Sequence, residues 1–268
     1  MGLFSDMKVL YHLALKPVRG KSHAERMENF YGGQADAYDD FRKRLLKGRE
    51  DLLESVHPAD DGGVWVDMGG GTGSNVALLD DRVKDFKKIY VVDLASSLLE
   101  VAQKRFDEKG WSNVKPIEAD ATKFKPEEGF ADIVTFSYSL TMIPDWFAAM
   151  ENAVRILKPG GKIAVVDFFV SRKYPADGRA RHSWFTRSFW PVWFAGDNVF
   201  PSPDHVPFLH HYFEPNRYEE RKCKIPYMPL LRMPYYLFVG TKKAEGMVVP
   251  SISIADGLPE TGADGGED

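Results

Sequence analysis

Three acidic residues and three glycines carry the chemistry most plainly written into this 268-residue chain. In Val64-Trp65-Val66-Asp67-Met68-Gly69-Gly70-Gly71-Thr72-Gly73 an apolar run meets Asp67 and then glycines at the alternate positions 69, 71 and 73. Glycine there lets the backbone turn sharply and leaves no side chain between main chain and ligand, which suits the seating of an adenosine-containing cofactor. The nicotinamide fingerprint, G-x-G-x-x-G, needs its third glycine at position 74, where this chain has Ser74. The spacing is G-x-G-x-G, which taken alone also fits a plain tight turn. Two further acids change that balance. Asp93 closes the apolar run Ile89-Tyr90-Val91-Val92, where a carboxylate can accept from both hydroxyls of a ribose or serve as an ordinary turn residue. Asp120, in Glu118-Ala119-Asp120-Ala121, can accept from the exocyclic amine of an adenine.

Each of these acids needs a strand to deliver it. Short apolar runs predict strands over 64–68, 89–93, the residues before Glu118, and Asp132-Ile133-Val134-Thr135-Phe136. Leu157-Lys158-Pro159-Gly160-Gly161 reads as a helix stop before a fifth strand, Lys162-Ile163-Ala164-Val165-Val166-Asp167. Two last strands are expected at Arg217 to Ile225 and Pro234 to Gly240, joined by a proline-rich loop from Pro226 to Met233.

In this order of glycine loop, acids and strands, the chain resembles the class I S-adenosylmethionine-dependent methyltransferases, from Val64 to Asp167 and on to the terminal hairpin. The resemblance implies an α/β, Rossmann-like fold. Its sheet would have seven mostly parallel strands with an antiparallel terminal strand, and an aromatic-rich insertion would follow the fifth. It implies that Asp67, Gly69, Gly71 and Gly73 surround the methionine part of S-adenosylmethionine, that Asp93 with Leu94 takes the ribose, and that Asp120 with Ala121 holds the adenine. Members of this class also carry a Tyr-Asp segment ahead of the first strand as a lid. By that analogy Tyr31 and Tyr38 face the sulfonium and the acceptor, and Arg49 the methionine carboxylate, the bland reading of either tyrosine being aromatic packing under a helix.

Composition fits one main domain. Apolar residues make up 44% of the chain, and the lone Cys223 excludes an internal disulfide framework. The formal net charge of −4 arises in the tail, because residues 244–268 hold six acids and no Lys or Arg. The rest is near neutral and shows no basic stripe of the kind that binds nucleic acid. The domain reading is an N-terminal helical cap and lid over 1–60, a methyltransferase domain over 61–243, and a disordered acidic tail or linker over 244–268. No stretch reaches the ~18 to 20 uncharged apolar residues that span a bilayer. Leu3, Phe4, Met7, Leu10, Tyr11, Ala14 and Leu15 recur at helical spacing, giving an amphipathic helix that caps its own domain or lies on a membrane surface. A cytoplasmic protein is expected, with peripheral membrane contact as its variant.

The insertion, residues 171–212, places Trp184, Phe185, Phe189, Trp190, Trp193 and Phe194 among prolines. The prolines argue against a regular buried helix and for an acceptor lid, with Trp190 and Trp193 on the substrate side. Together with Phe30-Tyr31, Gly48-Arg49-Glu50, Ser202-Pro203-Asp204-His205 and Pro234-Tyr235-Tyr236, this stretch resembles the methyltransferase part of betaine lipid synthases. That resemblance implies methylation of the amine of a diacylglyceryl-homoserine lipid, and an aminocarboxypropyl-transferase as partner. An amine with a pKa near 8 loses its proton at pH 7 for only ~1.4 kcal/mol, so no strong base is needed. Tyr138 and His205 are the candidates for accepting or orienting that proton, His205 having a structural reading as well. No metal ligands are assigned. The rival readings are a soluble small-molecule methyltransferase acting on a quinone or phenol, and a catalytically silent cofactor-binding scaffold.

Overall fold

The computed structural model describes residues 45–58, 61–196, 198–225 and 228–244. Most of the N-terminal cap, with Tyr31 and Tyr38, and nearly all of the tail lie outside these residues. Seven strands form one sheet in the order β3-β2-β1-β4-β5-β7-β6. They are β1 (Val64–Met68), β2 (Lys88–Asp93), β3 (Val114–Glu118), β4 (Ala131–Ser137), β5 (Leu157–Phe168), β6 (Phe213–Ile225) and β7 (Met228–Lys242). The first five run parallel, and β7 lies antiparallel between β5 and β6.

The parallel strands read as unbroken apolar runs because both faces of the sheet are covered. Alternation sorts their side chains into two cores. Trp65, Ile89 and Val91 pack on one face with Leu52, Phe106 and Trp190, while Val66, Tyr90 and Val92 pack on the other with Met150 and Phe208.

The described helices are α1 (Arg49–Leu53), α2 (Ser74–Ala77), α3 (Ser96–Lys109), α4 (Trp146–Ile156), α5 (Trp184–Ala195) and α6 (His205–Tyr212). α3 turns Leu98, Leu99, Ala102 and Phe106 inward at helical spacing and ends at Gly110, whose φ of 67° suits a left-handed cap. Asp145 caps α4 by accepting from the Ala148 N–H at 3.1 Å, and Ser183 caps α5 by accepting from Thr186 at 3.2 Å. None of the helices among the described residues is long and apolar enough to cross a membrane.

Three local expectations are corrected. Leu157 to Gly161 opens β5 instead of only ending a helix, with a break in the pairing to β4 between Ala131 and Ile133. The proline-rich loop shrinks because β7 begins at Met228, and Pro234 lies inside β7, opposite Lys222 of β6, with its carbonyl accepting the Phe169 N–H at 3.2 Å where pairing with β5 ends. The insertion contains regular helix despite its prolines, with Pro191 inside α5.

Candidate functional site

The strand order reverses between β1 and β4, and at that switch point the ends of β1, β2 and β4 open a cleft of about 270 Å³. Gly69, Gly71, Asp93, Leu94, Asp120 and Ala121 all line it. The glycine loop holds its course by backbone bonds from Gly69 and Gly70 to the Val92 carbonyl at 2.7 and 3.1 Å. Gly69, Gly71 and Gly73 take φ of 68°, 55° and 69°, the left-handed region that only glycine enters freely. Space is short as well. A Cβ on Gly69 would come within 2.4 Å of Ser139 Cβ, and one on Gly73 within 2.3 Å of the Phe106 ring.

Asp93 ends β2 with its carboxylate turned to the loop. Oδ2 accepts the Gly71 N–H at 2.9 Å and Oδ1 the Ala95 N–H at 3.0 Å. Asp93 also lines the cleft, where its carboxylate can meet a diol. Asp120 Oδ1 accepts from the Thr122 N–H at 2.8 Å, fixing the turn that presents Ala121 to the cleft. Leu98, Met142, Ile143 and Pro144 supply apolar walls. A flat base with a polar edge fits this slot, and a ribose fits beside Asp93. The residues present therefore suit an adenosyl cofactor.

Beneath the loop, Asp67 is fully buried at the centre of a polar network. Its carboxylate accepts from Asn75 Nδ2 at 2.9 and 3.1 Å and from the Thr135 hydroxyl at 2.6 Å. Arg49 donates to Asn75 Oδ1 from Nε and Nη2 at 3.0 and 2.6 Å and to the Ser74 hydroxyl at 2.6 Å. Arg49 thus reaches Asp67 through Asn75. Asn75 and Thr135 were not singled out from the sequence. Thr135 had a signal, a hydroxyl in the otherwise apolar run Ile133 to Phe136, but its place opposite Asp67 is set by strand register.

Burial pushes the Asp67 carboxyl up to about 6 from 3.8, against the lowering effect of Thr135, Asn75 and Arg49. A raised folded-state value means the folded chain binds more protons than the unfolded chain between these limits. Asp67 therefore favours the fold at low pH, and the contribution is lost as pH rises from about 4 through about 6. Asp67→Asn removes this titration. Its stability relative to the parent, from urea midpoints without cofactor, should improve between about pH 4 and pH 7 by on the order of 2 kcal/mol. A constant difference across that window would contradict the assignment.

The two proton-handling candidates lie in different settings. Tyr138 lines the cleft at the end of β4 with φ of 55°, an uncommon conformation for a residue with a side chain. Its hydroxyl donates to the Lys47 carbonyl at 2.6 Å, and burial holds the phenol well above its ordinary range. It is a donor, not a base, at neutral pH. His205 is fully buried at the start of α6, away from the cleft lining, with Trp146 edge-on at 4.7 Å. Among the described residues neither ring nitrogen has a hydrogen-bond partner, and burial lowers its pKa to about 3, leaving it neutral. The two tryptophans of the insertion diverge. Trp190 is 2% exposed within the core, whereas Trp193 is 40% exposed and stacks on Phe189 at 5.6 Å. No cluster of three metal-ligating side chains occurs among the described residues.

The ubiE/COQ5 methyltransferase family matches the chain over residues 43–194. A ubiquinone/menaquinone biosynthesis C-methyltransferase, UbiE, of Shewanella sp. (strain W3-18-1) is 29% identical over 163 residues, which are 59% of this chain and 64% of that protein. The chain thus matches a little under two thirds of the length of these curated relatives. Among solved structures, a putative methyltransferase of Bacillus halodurans superposes with a TM-score of 0.57 at 16% identity, covering 73% of this chain and 99% of that one. Phosphoethanolamine N-methyltransferase 2 of Haemonchus contortus, solved with phosphomonomethylethanolamine and S-adenosylhomocysteine, gives a TM-score of 0.62 at 14% identity over 84% of this chain and 61% of its own.

Proposed function

We propose that this chain, which belongs to the ubiE/COQ5 methyltransferase family, methylates a small-molecule acceptor bearing a quinone or phenol ring. That it is an S-adenosylmethionine-dependent methyltransferase follows from the family; the acceptor is the inferred part. The observation that carries the inference is the likeness to quinone-biosynthesis C-methyltransferases, with a family match that runs through the cleft and through α5 of the insertion.

When bound, S-adenosylmethionine supplies a methyl group already activated by a sulfonium, so positioning and exclusion of water can provide much of the rate. In this reading both Asp93 oxygens take the ribose hydroxyls, and Leu94 packs on the sugar side. Asp120 and the backbone at Ala121 meet the adenine edge. The main chain from Gly69 to Gly73 lies along the methionine part above Asp67, whose carboxylate favours the cationic end. Arg49 holds Asn75, and through it Asp67, in place. Tyr31 and Tyr38 remain assigned to the lid.

A second reading, methylation of the amine of diacylglyceryl-homoserine, is favoured by one specific observation: neither proton-handling candidate is placed as a strong base. Tyr138 is held protonated and His205 is walled off from the cleft lining. An amine acceptor tolerates that, and on this reading an aminocarboxypropyl-transferase would supply the substrate. The test offers labelled S-adenosylmethionine with a prenylated quinol lacking one ring methyl and, separately, diacylglyceryl-homoserine in mixed micelles. Label on the ring carbon is expected. Successive mono-, di- and trimethylated lipid products would instead select the amine reading, and label in neither would remove both acceptors while leaving the family in place.

A further inference from the structure

We propose that the outer face of α5, with the basic segment that precedes it, docks the protein on an anionic lipid bilayer. The helix is apolar on two sides, although a helix covering a single core needs only one. Trp190 and Phe194 point inward, and Phe194 stacks on Phe168 at 5.5 Å. On the opposite side Trp184, Phe185 and Val192 are 74%, 52% and 78% exposed. Phe189 lies between Phe185 and Trp193, stacked on them at 5.0 and 5.6 Å, so the outer rings form a continuous ladder along the helix. Contiguous exposed apolar surface of this kind marks an interaction site. Tryptophan and tyrosine suit the water–lipid boundary because each joins an apolar body to a polar edge.

Charge identifies the occupant. Residues 172–183, ahead of α5, hold four Lys or Arg side chains and one acid, Asp177. Arg172 is paired with Asp204, and Glu220 accepts the Ala180 N–H, so two further acids border the segment. Beyond them the exposed ring of Tyr174 carries Lys173 Nζ at 5.3 Å and the Arg181 guanidinium at 5.4 Å. Basic groups beside an aromatic ladder complement an anionic lipid surface. A second copy of the chain is a poor partner, because a two-fold contact would set these like charges against each other. The inner face of α5 also ties the surface to the cleft, since Phe168 packs edge-on against Tyr138 at 4.6 Å. The proposal is independent of which acceptor is methylated.

The full chain is floated on vesicles of phosphatidylcholine with roughly 30% phosphatidylglycerol and on phosphatidylcholine alone. Flotation on the anionic vesicles, weakened by high salt, is expected. The double variant Trp184→Ser, Phe185→Ser should lose about tenfold in bound fraction, and Lys173→Gln with Arg181→Gln should lose the preference for anionic lipid. S-adenosylmethionine affinity, read by calorimetry, should stay at the parent value in both, because these side chains do not line the cleft. Failure of the parent to float on anionic vesicles overturns the proposal. So does unchanged flotation of the Trp184 and Phe185 variant, or vesicle-free self-association that this variant abolishes.

Discussion

Gly71→Val is expected to abolish measurable S-adenosylmethionine binding in calorimetry while leaving a folded protein. Gly71 lines the cleft at φ of 55°, and its N–H reaches Asp93 Oδ2 at 2.9 Å. A branched side chain resists that conformation by roughly 1 to 2 kcal/mol and also projects where ligand and main chain must meet. Gly73→Val would be a poorer test, because its Cβ would strike the Phe106 ring and disturb the core. Asp93→Ala gives the graded companion: loss of charge-assisted bonds should weaken affinity by about 1 to 3 kcal/mol. Parent-like affinity in both variants would place the cofactor elsewhere.

The second large effect is on stability. Trp190→Ala should cost about 3 to 5 kcal/mol, the range for removing a large aromatic side chain from a packed core. Trp190 is among the largest fully enclosed side chains and shares its cluster with Trp65 and Val166. For a chain of this size the melting temperature should fall by roughly 10 °C. Trp193→Ala, on the exposed side of the same helix, should cost about 1 kcal/mol or less. Equal melting temperatures for the two variants would contradict the inward placement of Trp190. The sequence alone set both rings toward the acceptor; helical spacing separates them.

What could be read beforehand follows from which constraints are local. The glycine loop was legible because positive φ and close approach both demand glycine, and β1, β2 and β4 because strands covered on both faces are apolar throughout. Asp67, Asp93 and Asp120 stood out as acids at strand ends. The partners of Asp67 did not, since Thr135 lies 68 residues away and meets it only through the register of β1 on β4. α5 was obscured by Pro191, whose missing N–H and bulky ring disfavour a helix interior. Burial of Trp190 and Phe194 offsets that local cost, a tertiary effect outside the reach of propensity.

The place of β7 bears on how the chain is made. Among the described residues, β5 has no strand on its outer edge until β7 arrives, and β6, though synthesised first, pairs with the sheet only through β7. During translation the five parallel strands would therefore wait with a long, apolar edge open, the kind of template that recruits strands from other chains. Closing it requires Lys162 to find Thr241, a contact between residues about eighty positions apart, so loop-closure entropy places this step late. The terminal hairpin thus guards solubility in the nascent protein, and a ribosome stalled between β6 and β7 would release a product prone to aggregate.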